Sequence, residues 1–79
     1  MELRYLLNTH PRVTDLTFKS HAEAYAEAIT RFARGDVESA RIHAFVALPD
    51  DGAAYTGRQT VLYREVDGDD RVVAYEVTP

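Results

Sequence analysis

The sequence predicts an α+β two-layer sandwich, in which one amphipathic helix at about residues 20–34 packs on a mostly antiparallel sheet of four or five strands. Three observations carry this prediction: a capped segment with helical periodicity, short apolar or alternating segments on both sides of it, and a hairpin signal near the end. The element order is β(β)αβββ, with the second strand short. Because the chain has 79 residues, we expect a single domain over residues 1–79.

The helix has signals at both of its ends. Ser20 and Glu23 form a capping-box pattern, and Gly35 supplies the C-terminal stop. The spacing of apolar residues predicts one face of the helix that packs on the sheet and one that is exposed to solvent. The packed face comprises Ala22, Tyr25, Ala28, Ile29 and Phe32, and the wet face Glu23, Glu27, Thr30 and Arg34.

Before the helix, residues 2–7 alternate as an opening strand would. Residues 8–12 contain Pro11 and are predicted to turn. Residues 13–18 are rich in β-branched and aromatic side chains, which favours a second strand, although so short a segment could also be irregular.

After the helix, residues 40–48 are predicted to form a strand that Pro49 and the following turn formers end. Residues 60–66 and 71–77 flank an Asp-Gly-Asp-Asp loop, which predicts a hairpin. The linker between these parts, residues 49–59, is the longest and is predicted to be a mobile loop.

One face of the sheet is expected to lie open, because a single helix covers only the other. Alternation along residues 40–48 turns an apolar set, Ile42, Ala44, Val46 and Leu48, towards the helix. The residues between the members of this set then point the other way. The hairpin adds to that side either its tyrosines or the aliphatic residues that alternate with them. The predicted interaction face comprises Arg41, His43, Phe45, Tyr63 and Tyr75.

Charge is unevenly distributed along this chain of net charge −4, since residues 49–79 carry three basic and seven acidic side chains. Topology predicts an acidic end of the sheet, where the start of one strand meets the hairpin loop. Its residues are Asp36, Glu38, Asp67, Asp69 and Asp70. Such an end could receive a basic partner, weakly bind a divalent ion, or simply be solvated.

The sequence lacks the usual patterns of catalytic and cofactor sites. His10, His21 and His43 are solitary, without the spacing of metal ligands, and the chain has no cysteine. Ser20 and Ser39 lack a nucleophile motif, and the four glycines form no phosphate loop. We therefore expect no metal and no cofactor. Without an apolar run of membrane-spanning length, we expect a cytoplasmic protein.

The function that this pattern favours is that of a non-enzymatic protein-interaction module, of the accessory, regulatory or phage type. It would dock another protein and form a homodimer through its open sheet face, because soluble monomers seldom expose large apolar patches. An alternative is a small nucleic-acid-binding protein that uses arginine and aromatic residues of the same face. A third is a small enzyme that uses His43 with a carboxylate.

Overall fold

One helix packs against one face of a five-stranded antiparallel sheet in the computed structural model, which describes residues 2–77. The elements are β1 Glu2–Pro11, β2 Asp15–Phe18, α1 His21–Arg34, β3 Val37–Ala47, β4 Ala53–Val66 and β5 Val72–Val77. The strand order across the sheet is β2-β1-β3-β4-β5, with every neighbouring pair antiparallel. The predicted sandwich and its β(β)αβββ order are confirmed.

The ends of α1 are fixed by the two residues that the sequence singles out. The hydroxyl of Ser20 accepts a hydrogen bond from the backbone N–H of Glu23 at 3.1 Å. Gly35 adopts φ 82°, a left-handed conformation that costs glycine little, and its N–H donates to the carbonyl of Phe32 at 3.0 Å. The helix therefore begins directly after its cap and ends directly before its glycine.

The core lies between α1 and the sheet. Its buried members are Leu7, Ala24, Ala28, Phe32, Val37, Ala40, Ile42 and Leu62. Tyr25 and Ile29 pack at its edge as predicted, but the expectation for Ala22 is wrong, because this residue is exposed. The buried line runs through Ala24 at four-residue spacing, and two residues correspond to about 200° around a helix, so Ala22 lies nearly opposite Ala24.

β1 is longer than the sequence predicts, because the turn expected at residues 8–12 does not interrupt it. Asn8 pairs with Arg41, and the ladder continues until the register shifts between His10 and Pro11. Proline lacks an N–H, and it is tolerated in this strand because it lies at the register shift. The second strand is confirmed as the short edge strand β2, over Asp15–Phe18, paired with β1.

The expected mobile loop over residues 49–59 is wrong for most of its length, because β4 begins at Ala53. Residues 53–59 pair with β3 through a bulge: Tyr55 lies opposite Phe45, and Gln59 opposite His43. Gly57 has φ 81°, and the hydroxyl of Thr56 donates to the carbonyl of Ala44 at 2.9 Å. The β3–β4 turn is therefore confined to a few residues, whereas the hairpin loop between β4 and β5 lies where it is predicted.

Candidate functional site

Strand register brings the five residues of the predicted interaction face onto one side of the sheet, away from α1. Residues directly opposite on antiparallel strands share a face. Ser39 pairs with Tyr63 and Tyr63 with Tyr75, which aligns both tyrosines with the outward-facing positions of β3. The same alternation places Arg41, His43 and Phe45 on this side. No other element of residues 2–77 covers it, and we call it the open face.

The part of the open face on β4 and β5 forms a patch that we call the tyrosine patch. Its members are Val61, Tyr63, Val73, Tyr75 and Val77. Tyr63 is 47% exposed and its cross-strand neighbour Tyr75 is 57% exposed. A shallow depression of about 300 Å³ is lined by these two tyrosines, Arg64 and Glu65. A partner would therefore find exposed aromatic surface at this place.

The other part of the open face is built around Phe45. Its side chain is only 9% exposed, because Tyr55 lies over it with ring centroids 5.6 Å apart. Tyr55 is itself 60% exposed, and it meets the ring of His43 edge-on at 6.4 Å. Sequence reasoning missed Tyr55 because its segment reads as a loop. Phe45 thus supports this face from within, and Tyr55 supplies the exposed aromatic surface.

Charged groups around the open face nearly balance one another. Arg41 is exposed beside Val61, and Glu65 is exposed on the same face further along β4. Arg4 lies opposite Phe45, and its guanidinium is paired with the carboxylate of Glu2 at 2.9 Å. The open face therefore presents aromatic surface with flanks of both signs, and no concentrated basic field.

The predicted acidic residues do lie at one end of the sheet, where β3 begins and β4 ends. Arginines neutralise part of this end: Arg12 pairs with Asp36 at 3.4 Å, and Arg71 pairs with Asp67 at 3.1 Å and with Asp69 at 3.5 Å. In the described range no group of three or more His, Cys, Asp or Glu side chains could hold a metal ion. Use of this end by a basic partner stays a prediction.

Asp67 closes the hairpin loop. Its carboxylate accepts hydrogen bonds from the backbone N–H of Arg71 at 3.0 Å and of Asp69 at 2.9 Å, and from the side chain of Arg71 at 3.1 Å. These bonds, that from the Arg71 backbone first, hold the pKa of Asp67 below its ordinary value of 3.8. The ionised form of Asp67 therefore favours the folded hairpin.

Asp67→Ala is expected to lower the melting temperature at neutral pH, since it removes all three acceptor bonds. A depressed folded-state pKa stabilises the fold above the unfolded pKa, and this contribution is lost as pH falls through the folded value. The difference in melting temperature between wild type and variant should thus shrink as pH falls below about 3.8. Thermal melts over a pH series measure it, with Asp69→Ala as control. A difference that stays constant down to the lowest pH would contradict this role.

The three histidines lie apart from one another. His10 is exposed at the end of β1, and His43 lies on the open face beside Tyr55. His21 stands at the core edge, and its Nε2 atom is 2.9 Å from the hydroxyl of Thr60. In these positions, no two of the three histidines lie together.

Among residues 2–77, no helix combines the length and the apolar character needed to cross a membrane; α1 has 14 residues. Comparisons with protein-family models, with curated proteins and with solved structures found no match for this chain.

Proposed function

We propose that this chain is a small protein-interaction module that docks another polypeptide on its open face, and that a second copy of the chain is one occupant. The observation that carries the proposal is the exposure of Tyr55, Tyr63 and Tyr75 on a sheet face that nothing else in the described part of the chain covers. Interface cores are enriched in tyrosine and depleted in charge. The tyrosine patch has this composition.

A protein partner suits the charges of this face better than a nucleic acid does. Nucleic-acid binding draws most of its affinity from clustered lysine and arginine. On the open face Arg4 is neutralised by Glu2, and Arg41 is accompanied by Glu65. A nearly balanced aromatic surface is instead typical of protein interfaces, and flanks of opposite sign can be matched by a symmetry-related copy.

The size of the face suits a dimer of standard dimensions. A specific interface buries about 800 Å² on each partner. The molecule measures 46 × 22 × 18 Å, so a rectangle that encloses its broad side has an area on the order of 1,000 Å², large enough to contain a patch of that size. A small core also gains stability from shared burial, because a chain of this length supplies few kcal/mol by itself. Self-association through the open face would therefore add buried area to this small core.

We further propose that the module acts in the cytoplasm, in an accessory or regulatory role. The chain has no cysteine, whereas small secreted domains of this size are commonly stapled by disulfides. Its acidic pI of about 5.2 disfavours nonspecific attachment to nucleic acid and to anionic membranes.

Isotope-filtered NMR on a mixture of ¹³C-labelled and unlabelled chains tests where the copies meet. We expect intermolecular NOEs from the aromatic protons of Tyr63 and Tyr75 and from the methyl groups of Val61 and Val77, because these groups form the tyrosine patch. Residues on the outer side of α1, such as Ala26, serve as the internal control and should give none. Intermolecular NOEs that arise from α1 would overturn the assignment of the open face.

A further inference from the structure

A cavity of about 550 Å³ lies on the helix side of the sheet, beside the first turn of α1. It exists because the two layers differ in length. The 14 residues of α1 span about 21 Å, whereas the 14 residues of β4 span up to about 46 Å. The helix therefore leaves one end of its own sheet face uncovered, and the bulge in β4 closes the side of the resulting hollow.

The base of this cavity is apolar. Leu3, Tyr5, Ile42 and Ala44 contribute to it from β1 and β3. Leu3 is 47% exposed, although it points to the face that α1 covers further along the sheet. An apolar base of this kind favours a ligand with a hydrocarbon or aromatic body.

Polar groups lie at the rim of the cavity. Some of them are bound by other residues of the chain, and others are not. His21 is fixed by Thr60, and its ring meets that of Tyr5 edge-on with centroids 5.8 Å apart. The backbone N–H of Arg58 is bound by the hydroxyl of Thr56 at 3.1 Å, which anchors the bulge. Within residues 2–77 the guanidinium of Arg58 forms no ion pair. Its donors therefore remain available to a ligand.

The charge of the cavity lining differs in sign from the net charge of the chain. The chain carries 13 acidic residues and a net charge of −4, yet none of the residues within 2–77 that line this cavity is acidic. Arg58 is the one permanently charged group among them, and arginine presents a planar set of donors that matches a carboxylate. The apolar base favours a ligand with an apolar body. The unpaired arginine and the lack of carboxylates in the described lining favour a ligand that is anionic.

We propose that this cavity binds a small organic carboxylate, whose charged group is held by Arg58 and whose apolar body lies against Leu3 and Tyr5. The volume is within the range of about 300–1,000 Å³ that is typical of small-molecule sites. The site is on the opposite side of the sheet from the tyrosine patch, so it does not depend on the proposed interaction function.

Titration of the ¹⁵N-labelled full-length chain with benzoate tests the proposal, with NMR chemical shifts as the readout. We expect saturable shifts at the amides of Gly57, Gln59 and Thr60, with a dissociation constant in the millimolar range or below. Benzamide, which keeps the ring and removes the charge, should bind about tenfold more weakly, because it cannot form the charge-assisted bonds to Arg58.

Arg58→Gln should weaken benzoate binding by about tenfold, and Arg41→Gln, a matched change on the open face, should leave it unchanged. Shifts that fail to saturate, equal binding of benzoate and benzamide, or equal effects of the two substitutions would each overturn the proposal. The comparison of the two probes uses the wild-type chain alone, so it decides the question even if a variant does not fold.

Discussion

Phe32→Ala is expected to unfold a large fraction of the protein at room temperature. Phe32 is fully buried at the centre of the core, and large-to-small substitution of a buried phenylalanine costs about 3–5 kcal/mol. Its backbone carbonyl accepts from the Arg64 side chain at 2.9 Å. The substitution keeps this carbonyl, so the expected loss comes from the phenyl ring alone. A domain of this size has only a few kcal/mol to lose. Urea unfolding followed by circular dichroism measures the loss.

The matched controls are Glu23→Ala and Arg34→Ala, at exposed positions of the same helix. Each should change the free energy of unfolding by no more than about 0.5 kcal/mol. Ile29→Ala, at a partly buried position, should fall between these controls and Phe32→Ala. Similar losses in all four variants would show that the face of α1 assigned to the core is wrong.

Tyr75→Glu is expected to weaken self-association by at least about a hundredfold. Tyrosine is enriched among interface hot spots, each of which contributes about 2 kcal/mol or more, and a glutamate there would also bury an unpaired charge. Tyr75 is well exposed, so the substitution should leave the fold of the subunit intact. Phe45→Glu is less suitable, because Phe45 is packed beneath Tyr55 and its replacement would destabilise the subunit itself.

Ala26→Glu is the control for this substitution, because it adds the same charge at an exposed position on the outer side of α1. It should leave the dissociation constant of the dimer unchanged. Sedimentation equilibrium gives that constant for wild type and both variants. Equal dissociation constants for wild type and Tyr75→Glu would remove the tyrosine patch from the interface.

Local signals in the sequence were sufficient to predict the helix, the hairpin and the side chains of residues 40–48 that point to the open face. Ser20 and Gly35 act within one helical turn, and the loop at residues 67–70 needs only its neighbours to turn. The outward direction of Arg41, His43 and Phe45 follows from simple alternation along one strand. Each of these features depends on residues close together in the chain.

Features that depend on pairing between distant segments could not be predicted. Residues 53–59 contain small side chains and Gly57, which are typical of a loop, and only β3 makes them a strand by satisfying their backbone groups. Tyr55 was missed with them. Pro11 likewise indicates a turn. In the structure, pairing with β3 extends β1 as far as Pro11.

The cavity beside α1 is a still more distant consequence of the fold. It arises from the difference in length between helix and strands, and it brings together Leu3, His21 and Arg58 from three elements. None of these residues is exceptional in its own segment. The positive charge of the cavity becomes apparent only when its lining residues are known, because the segment that contains Arg58, residues 49–79, is acidic on average.

The mass of the wild-type chain in solution tests the central claim of self-association most directly. Sedimentation equilibrium over a micromolar concentration series should give twice the 8.9 kDa of one chain, with dissociation on dilution. Tyr75→Glu should give the mass of one chain over the same range. A wild-type mass of 8.9 kDa at every concentration would contradict the homodimer.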